Sequence, residues 1–419
     1  MRRRTFLSVG AAAAATTTLA ACGGNEPSTD GPVKLTFSCY AFQDATVKAV
    51  EETVKQWNAS NQDIQVEYQK VDPESVHDKL VTQFAGNAAP DIIHNEVGDL
   101  AGFSKQGYLA DLGALIPADL KSEVPAGLWD ACTFGGKITA VPTIAQMYVV
   151  FANTKLLEKA GLKVGDWTWD DLSKNAKTLT SGATTGFAWG LKSATAGVLS
   201  TSMAYDGKWF EGDELAPTMK IGNQELAVPR HLHSMLEQKS LPTAAATMSG
   251  SDVIPGFLGG KYAMFMGGNY LASDLASKAA ADFEWTMLPP LKGDSTHQVA
   301  NPQTLSIARQ SKHPEQAMKF IAYFMRAQNL GKFGHGDALV PVTKAATEEA
   351  RKLHGGKYGW DAILDSFDSL VGAPMTRAEK YSQWKSEVGN PVFQEYFATR
   401  IDEATMVKRL TDGWQKINT

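Results

Sequence analysis

The chain has 419 residues, with 40 Lys and Arg against 45 Asp and Glu, for a net charge of −5 at pH 7. An acidic balance of this kind argues against nucleic acid as a partner, and 43% hydrophobic with 20% charged residues is ordinary for a globular protein too long for one core. After the first residues no stretch holds the ~20 apolar residues of a membrane helix, so no spanning segment is expected.

Residues 1–21 read as an export signal, with Arg2-Arg3-Arg4 ahead of a soft Ala/Thr run that ends in Leu19-Ala20-Ala21-Cys22. Arg3-Arg4-Thr5-Phe6-Leu7 resembles the twin-arginine signature. The four residues ending at Cys22 resemble a bacterial lipobox, in which Cys22 is lipidated and becomes the first residue of the mature chain. A polar linker, 22–32, follows. Removing the leader, which holds three Arg and no acids, takes Lys plus Arg from 40 to 37 against 45 acids, a net charge near −8.

Val33 to Cys39 reads as a strand, and Asp44 opens a helix on which Val47, Val50, Val54 and Trp57 recur at helical spacing. Ile64, Val66 and Tyr68 alternate as a second strand, Asp72-Pro73 starts another helix, and Pro90-Asp91-Ile92-Ile93 gives a third strand. That alternation predicts a parallel sheet. Trp167, Trp169, Trp189, Trp209 and Trp285 mark a second lobe of different character, and His313-Pro314 opens an amphipathic helix with Ala317, Phe320, Ile321, Phe324 and Met325 on one face. Cys39 and Cys132 lie in apolar surroundings, and both two separate buried thiols and a single bridge stay open.

Catalytic signatures fail. There is no Gly-x-Ser-x-Gly elbow. Gly260-Lys261 is followed by Tyr262 where a phosphate loop needs Ser or Thr, and Gly334-His335-Gly336 lacks the third glycine of a dinucleotide fingerprint. His231 and His233 point apart on a helix and cannot share a metal on one face. No cofactor and no metal is expected.

From Val33 onward the chain resembles the family-1 extracellular solute-binding proteins of bacterial ABC sugar importers. The blocks that carry the likeness are Pro90-Asp91-Ile92-Ile93 with Gly107-Tyr108-Leu109-Ala110-Asp111-Leu112, Gly136 through Pro142 with Phe151-Ala152-Asn153-Thr154-Lys155, Phe257 through Met264 with Gly268-Asn269-Tyr270, and Leu339-Val340-Pro341-Val342. Asn153 follows Ala152 where Tyr-Asn is commoner in the family, and Tyr270 stands where many sugar-binding relatives carry Trp.

The resemblance implies a periplasmic-binding-protein-like α/β fold: two α/β lobes of discontinuous segments, joined by hinge crossovers, with the ligand cleft between them. The expected lobes are 33–145 plus 290–340 and 146–289 plus 341–419. It also implies a site. Tyr40, Phe42 and Gln43 follow the first strand, with core packing as the competing reading of the two aromatics. Asn95, Glu96 and Asp99 follow the third strand, where burying a charge without partners is costly. Gln146 stands at the first hinge beside Tyr148, a buried cross-link between crossovers being its alternative role. Asn269 and Tyr270 follow a glycine pair, Asn301 and Gln303 flank Pro302, and Trp209, Arg377 and Trp384 complete the set.

Aromatic plates with amides and carboxylates suit a sugar, whose C–H faces stack and whose hydroxyls bond. The function this implies is that of a monomeric substrate-binding lipoprotein, anchored to the outer face of the cell membrane. It would bind an extracellular mono- or oligosaccharide and deliver it to an ABC permease without chemistry. Binding of a phosphorylated polyol and a secreted carbohydrate-active enzyme are the alternatives.

Overall fold

The computed structural model describes residues 31–41, 43–72, 75–212 and 217–418. The leader with its twin-arginine pair, the lipidation residue Cys22, Phe42 and Pro73 lie outside the described residues. Among those described, no helix is long and apolar enough to cross a membrane.

Two sheets organise the chain. The first has seven strands and starts with Val33–Cys39, flanked in parallel by Ile64–Lys70 and Ile92–Glu96. The helix between the first two strands, Asp44–Ser60, turns Val50, Val54 and Trp57 inward, as its spacing requires. The helix after Ile64–Lys70 covers Val76–Ala85. The sheet is not wholly parallel as predicted. Strand Gln298–Ile307, more than 200 residues later, runs antiparallel to Ile92–Glu96 and to Val141–Gln146. A pairing between such distant segments leaves no local signal, because strand register is a tertiary property.

The second sheet has four strands, in the order Trp285–Met287, Tyr148–Asn153, Tyr262–Gly268 and Thr185–Trp189. Its core holds Trp167, Trp169, Trp189 and Trp209, each at most 7% exposed. The chain passes from the first sheet to the second at Met147, between Val141–Gln146 and Tyr148–Asn153. It returns after Trp285–Met287 to enter Gln298–Ile307.

The last crossing differs from the predicted 341 boundary. Val340–Pro341 pairs with Val141–Gln146 in the first sheet, and helix Lys344–His354 packs on helix Ala327–Asp337. Leu370–Gly372 still pairs with the base of Gln298–Ile307, while Val371 already packs against the second core and Ala373 is buried in it. Pro341 ends its short strand without ending the lobe. Helix Pro314–Phe324 starts at the proline and buries Ala317, Phe320, Ile321 and Phe324. Cys39 and Cys132 are separate buried thiols, Cys39 Sγ lying 3.2 Å from His94 Nδ1.

Candidate functional site

Strand ends from the first sheet set one wall of a cleft. In strand Gln298–Ile307, Asn301 stands opposite Gln146 and Gln303 opposite Glu96, with a register shift between Pro302 and Thr304. Such an irregularity re-aims side chains at the end of a strand. It gathers Glu96, Gln303, Asn301 and Gln146 from three neighbouring strands into one polar row. Asp99 joins it from the first turn of helix Val97–Lys105, which begins where strand Ile92–Glu96 ends. The carboxyl ends of sheet strands are where open α/β folds place their ligands.

The opposite wall comes from the second lobe. Helix Ala194–Thr201 presents Ala196 and Ser200, one turn apart. The segment after Ala373 adds Met375, Thr376, Tyr381, Ser382 and Lys385, and Tyr148 closes the hinge end. Together these walls enclose about 270 Å3. Gly197 is required here, because a Cβ on it would stand 2.6 Å from the Trp189 ring and 3.2 Å from the Tyr148 ring.

The electrostatics are those of a walled, mildly acidic cavity. Glu96 reaches solvent, yet the surrounding walls push its carboxyl above the usual range, the charge of Asp99 adding to the effect and Lys385 opposing it. Burial also raises Asp99, against the pull of His77, whose Nδ1 lies 2.9 Å from Asp99 Oδ1. The Tyr148 and Tyr381 hydroxyls are pushed well up by burial and stay protonated donors.

Two buried polar atoms on the cleft have no hydrogen-bond partner, Ser200 Oγ and Tyr381 Oη, while the Gln303 side chain interacts with His94. Buried polar groups are almost always bonded, and one left alone costs about 1–3 kcal/mol. Orphans that line a cavity mark where a polar ligand or water would bond.

The structure therefore brings Glu96, Asp99, Gln146, Tyr148, Asn301 and Gln303 together. Tyr270 stands at the mouth, 44% exposed, where its ring and Gln146 Nε2 both crowd the space a Gly268 side chain would need. The other expected site residues do not line the cavity. Tyr40 is buried and stacked on His94 at 4.4 Å, so core packing claims it. The backbone N–H of Gln43 donates to Asp337, and Gln43 lies away from the cleft. Asn95 is fully buried, its Oδ1 accepting from Thr304 Oγ1 at 2.9 Å.

Asn269 is also fully buried and braces the hinge: its Oδ1 accepts from Met147 N at 3.0 Å, and its own N–H donates to the Met147 carbonyl at 2.9 Å. The competing role considered for Gln146, a buried amide at the hinge, falls instead to Asn269, which ties the end of strand Tyr262–Gly268 to the first crossover. Trp209 and Trp384 are core residues at 1% and 0% exposure, and Trp384 Nε1 donates to the Leu410 carbonyl. Arg377 lines a separate groove.

That groove is larger, about 680 Å3, and is bordered by Asp130, Asp206, Lys208, His297 and Arg377. Size does not make it the better site. His297 and Asp206 satisfy each other at 2.7 Å, Arg377 Nη2 donates to the Thr133 carbonyl at 3.4 Å, and the orphaned Ser200 Oγ and Tyr381 Oη lie in the smaller cleft.

Sequence reasoning missed Ser200, Thr376, Tyr381 and Lys385. Tyr381 lies one helical turn before Trp384 on the same face, and both rings are buried, so no sequence signal marks its hydroxyl as the part that meets the cleft. The others sit in stretches without a motif.

The profile for bacterial extracellular solute-binding proteins matches residues 43–330. The "uncharacterized lipoprotein in oleD 5′region" of Streptomyces antibioticus is 34% identical over 95% of this chain and 89% of its own. The maltodextrin-binding protein MdxE of Bacillus subtilis is 26% identical over 81% of each chain. Among solved structures, the cyclic α-maltosyl-1,6-maltose binding protein of Arthrobacter globiformis superposes with a TM-score of 0.81 at 16% identity, covering 93% of this chain and 99% of that one. The sugar-binding protein MalE of Xanthomonas citri gives 0.79 at 18% identity, over 92% and 96%. With a two-lobed fold, a cleft at the hinge and a profile match over most of its length, the chain belongs to the bacterial extracellular solute-binding proteins.

Proposed function

We propose that this protein binds a neutral carbohydrate in the cleft between its lobes and passes it, unchanged, to an ABC permease. The observation that carries the reading is the pair of orphaned polar atoms, Ser200 Oγ and Tyr381 Oη, facing a polar row that includes Gln146, Asn301 and Gln303. A polyol supplies both donors and acceptors to such a set, and its C–H faces suit the rings of Tyr148, Tyr270 and Tyr381. The names of the relatives point the same way, since MdxE is a maltodextrin-binding protein and the Arthrobacter protein binds a cyclic maltosyl-maltose.

Ligand bound to both walls would favour the closed arrangement of the lobes, and differential affinity for that state is what a permease can read. A phosphorylated polyol is disfavoured, because the cavity offers one cation, Lys385, beside Glu96 and Asp99, whereas phosphate sites gather cations. The N-terminal Cys22 would carry the lipid that holds the receptor at the outer face of the membrane, in keeping with the lipoprotein name of the Streptomyces relative. Replacing Cys22 with Ser should release the protein into the medium.

A thermal-shift panel of neutral mono- and oligosaccharides tests the sugar reading, since a ligand that binds only the folded state raises its melting temperature. At least one sugar should raise it in a saturable way and be recovered intact. A panel without response, or recovery of cleaved sugar at enzyme-like rates, would overturn the reading.

A further inference from the structure

The segment that follows the last crossover touches both lobes. Ala373, Met375, Ala378, Tyr381 and Trp384 fasten it to the second core. Its other side meets the first lobe. Lys105 Nζ, at the end of helix Val97–Lys105, lies 2.5 Å from Glu379 Oε2, and Arg377 reaches the Thr133 carbonyl of the hairpin formed by Thr133–Phe134 and Lys137–Ile138. Neither Lys105 nor Glu379 lines the cleft, yet the segment between and beyond these contacts carries Thr376, Tyr381 and Lys385 into it.

We propose that Lys105 and Glu379 form a latch across the cleft, positioning the 373–385 segment against the first lobe and setting the closed fraction of the protein without touching ligand. The apparent affinity of a receptor is its intrinsic affinity scaled by the fraction of molecules in the competent state. A partly exposed ion pair contributes on the order of 0–1 kcal/mol, equivalent to a change of up to about fivefold in that fraction. Lys105 is half exposed, its side chain at 53%, so salt screens the latch.

The affinity arm of the test rests on the sugar-binding reading, while the scattering arm does not. Small-angle scattering of the ligand-free mature protein should show a larger radius of gyration for Glu379→Lys and for Lys105→Glu than for wild type. The double swap, Lys105→Glu with Glu379→Lys, should restore it. Sugar titrations should show Kd raised ~2–5-fold in each single reversal and brought back by the swap. High salt should move wild type toward Glu379→Gln and leave that variant unchanged.

Single reversals indistinguishable from wild type in scattering, or a swap that fails to restore, would overturn the latch. Scattering that responds as expected in a protein to which no sugar binds upholds the latch and refutes the sugar reading instead.

Discussion

Tyr381→Phe separates binding from stability with opposite signs. The Tyr381 ring is 6% exposed and is held by Phe210 and Trp384, with centroids 6.3 Å away in both pairs, so removing only the hydroxyl leaves the packing in place. In the ligand-free protein that hydroxyl has no hydrogen-bond partner, and losing an unsatisfied buried group leaves stability unchanged or raises it by up to about 1–3 kcal/mol. With sugar bound, the same hydroxyl should bond it. Its loss should then cost about 0.5–1.5 kcal/mol, or roughly 2- to 13-fold in Kd. Urea unfolding of the ligand-free protein, followed by tryptophan fluorescence, gives the first quantity, and calorimetric titration gives the second. A lower urea midpoint with an unchanged Kd would show that the hydroxyl serves the fold, and the reasoning from orphaned atoms would fail.

Other outcomes follow from the same geometry. Gln146→Ala should weaken sugar binding by about 1–3 kcal/mol in a titration, with little change in melting temperature, because Asn269 and not Gln146 braces the hinge. Trp384→Ala should destabilise by about 3–5 kcal/mol in urea, whereas Trp384→Phe should leave sugar affinity unaltered; an affinity loss in the Phe variant would return Trp384 to the site. Acid stability should depend on two buried histidines, His94 and His354. Burial lowers His94 to about 4 and His354 to about 3, with the His335 ring adding to the second effect. Both folded values lie below the unfolded one, so the unfolded chain binds more protons below pH ~6.5. Their stabilisation is complete above that pH and falls by up to about 1.4 kcal/mol per pH unit for each histidine on acidification toward those folded values. His354→Asn should flatten the slope of urea stability against pH; an unchanged slope would count against this assignment.

Much of the fold was legible because its signals are local. Val50, Val54 and Trp57 repeat at helical spacing and are buried in helix Asp44–Ser60, and His313-Pro314 marks the start of helix Pro314–Phe324. What escaped was long-range: the antiparallel insertion of Gln298–Ile307 and the retention of 340–372 with the first sheet depend on pairing and packing between distant segments. The site divides along the same line. Glu96, Gln146, Asn301 and Gln303 lie in or beside stretches that carry the family likeness or at strand ends, and they meet in one row. Tyr40, Trp209 and Trp384 have the right chemistry, but a large ring gains more from full burial than from lining a cleft, and all three are core. Ser200 and Lys385 became visible only when helix Ala194–Thr201 and the segment after Ala373 were seen to converge.

The most direct test is a crystal structure of the protein with the sugar that raises its melting temperature most. Density for a ring within hydrogen-bonding reach of Gln146, Ser200, Gln303 and Tyr381 is the expected result. Density in the larger groove beside Asp130, Asp206 and His297, with the smaller cleft holding only water, would contradict it.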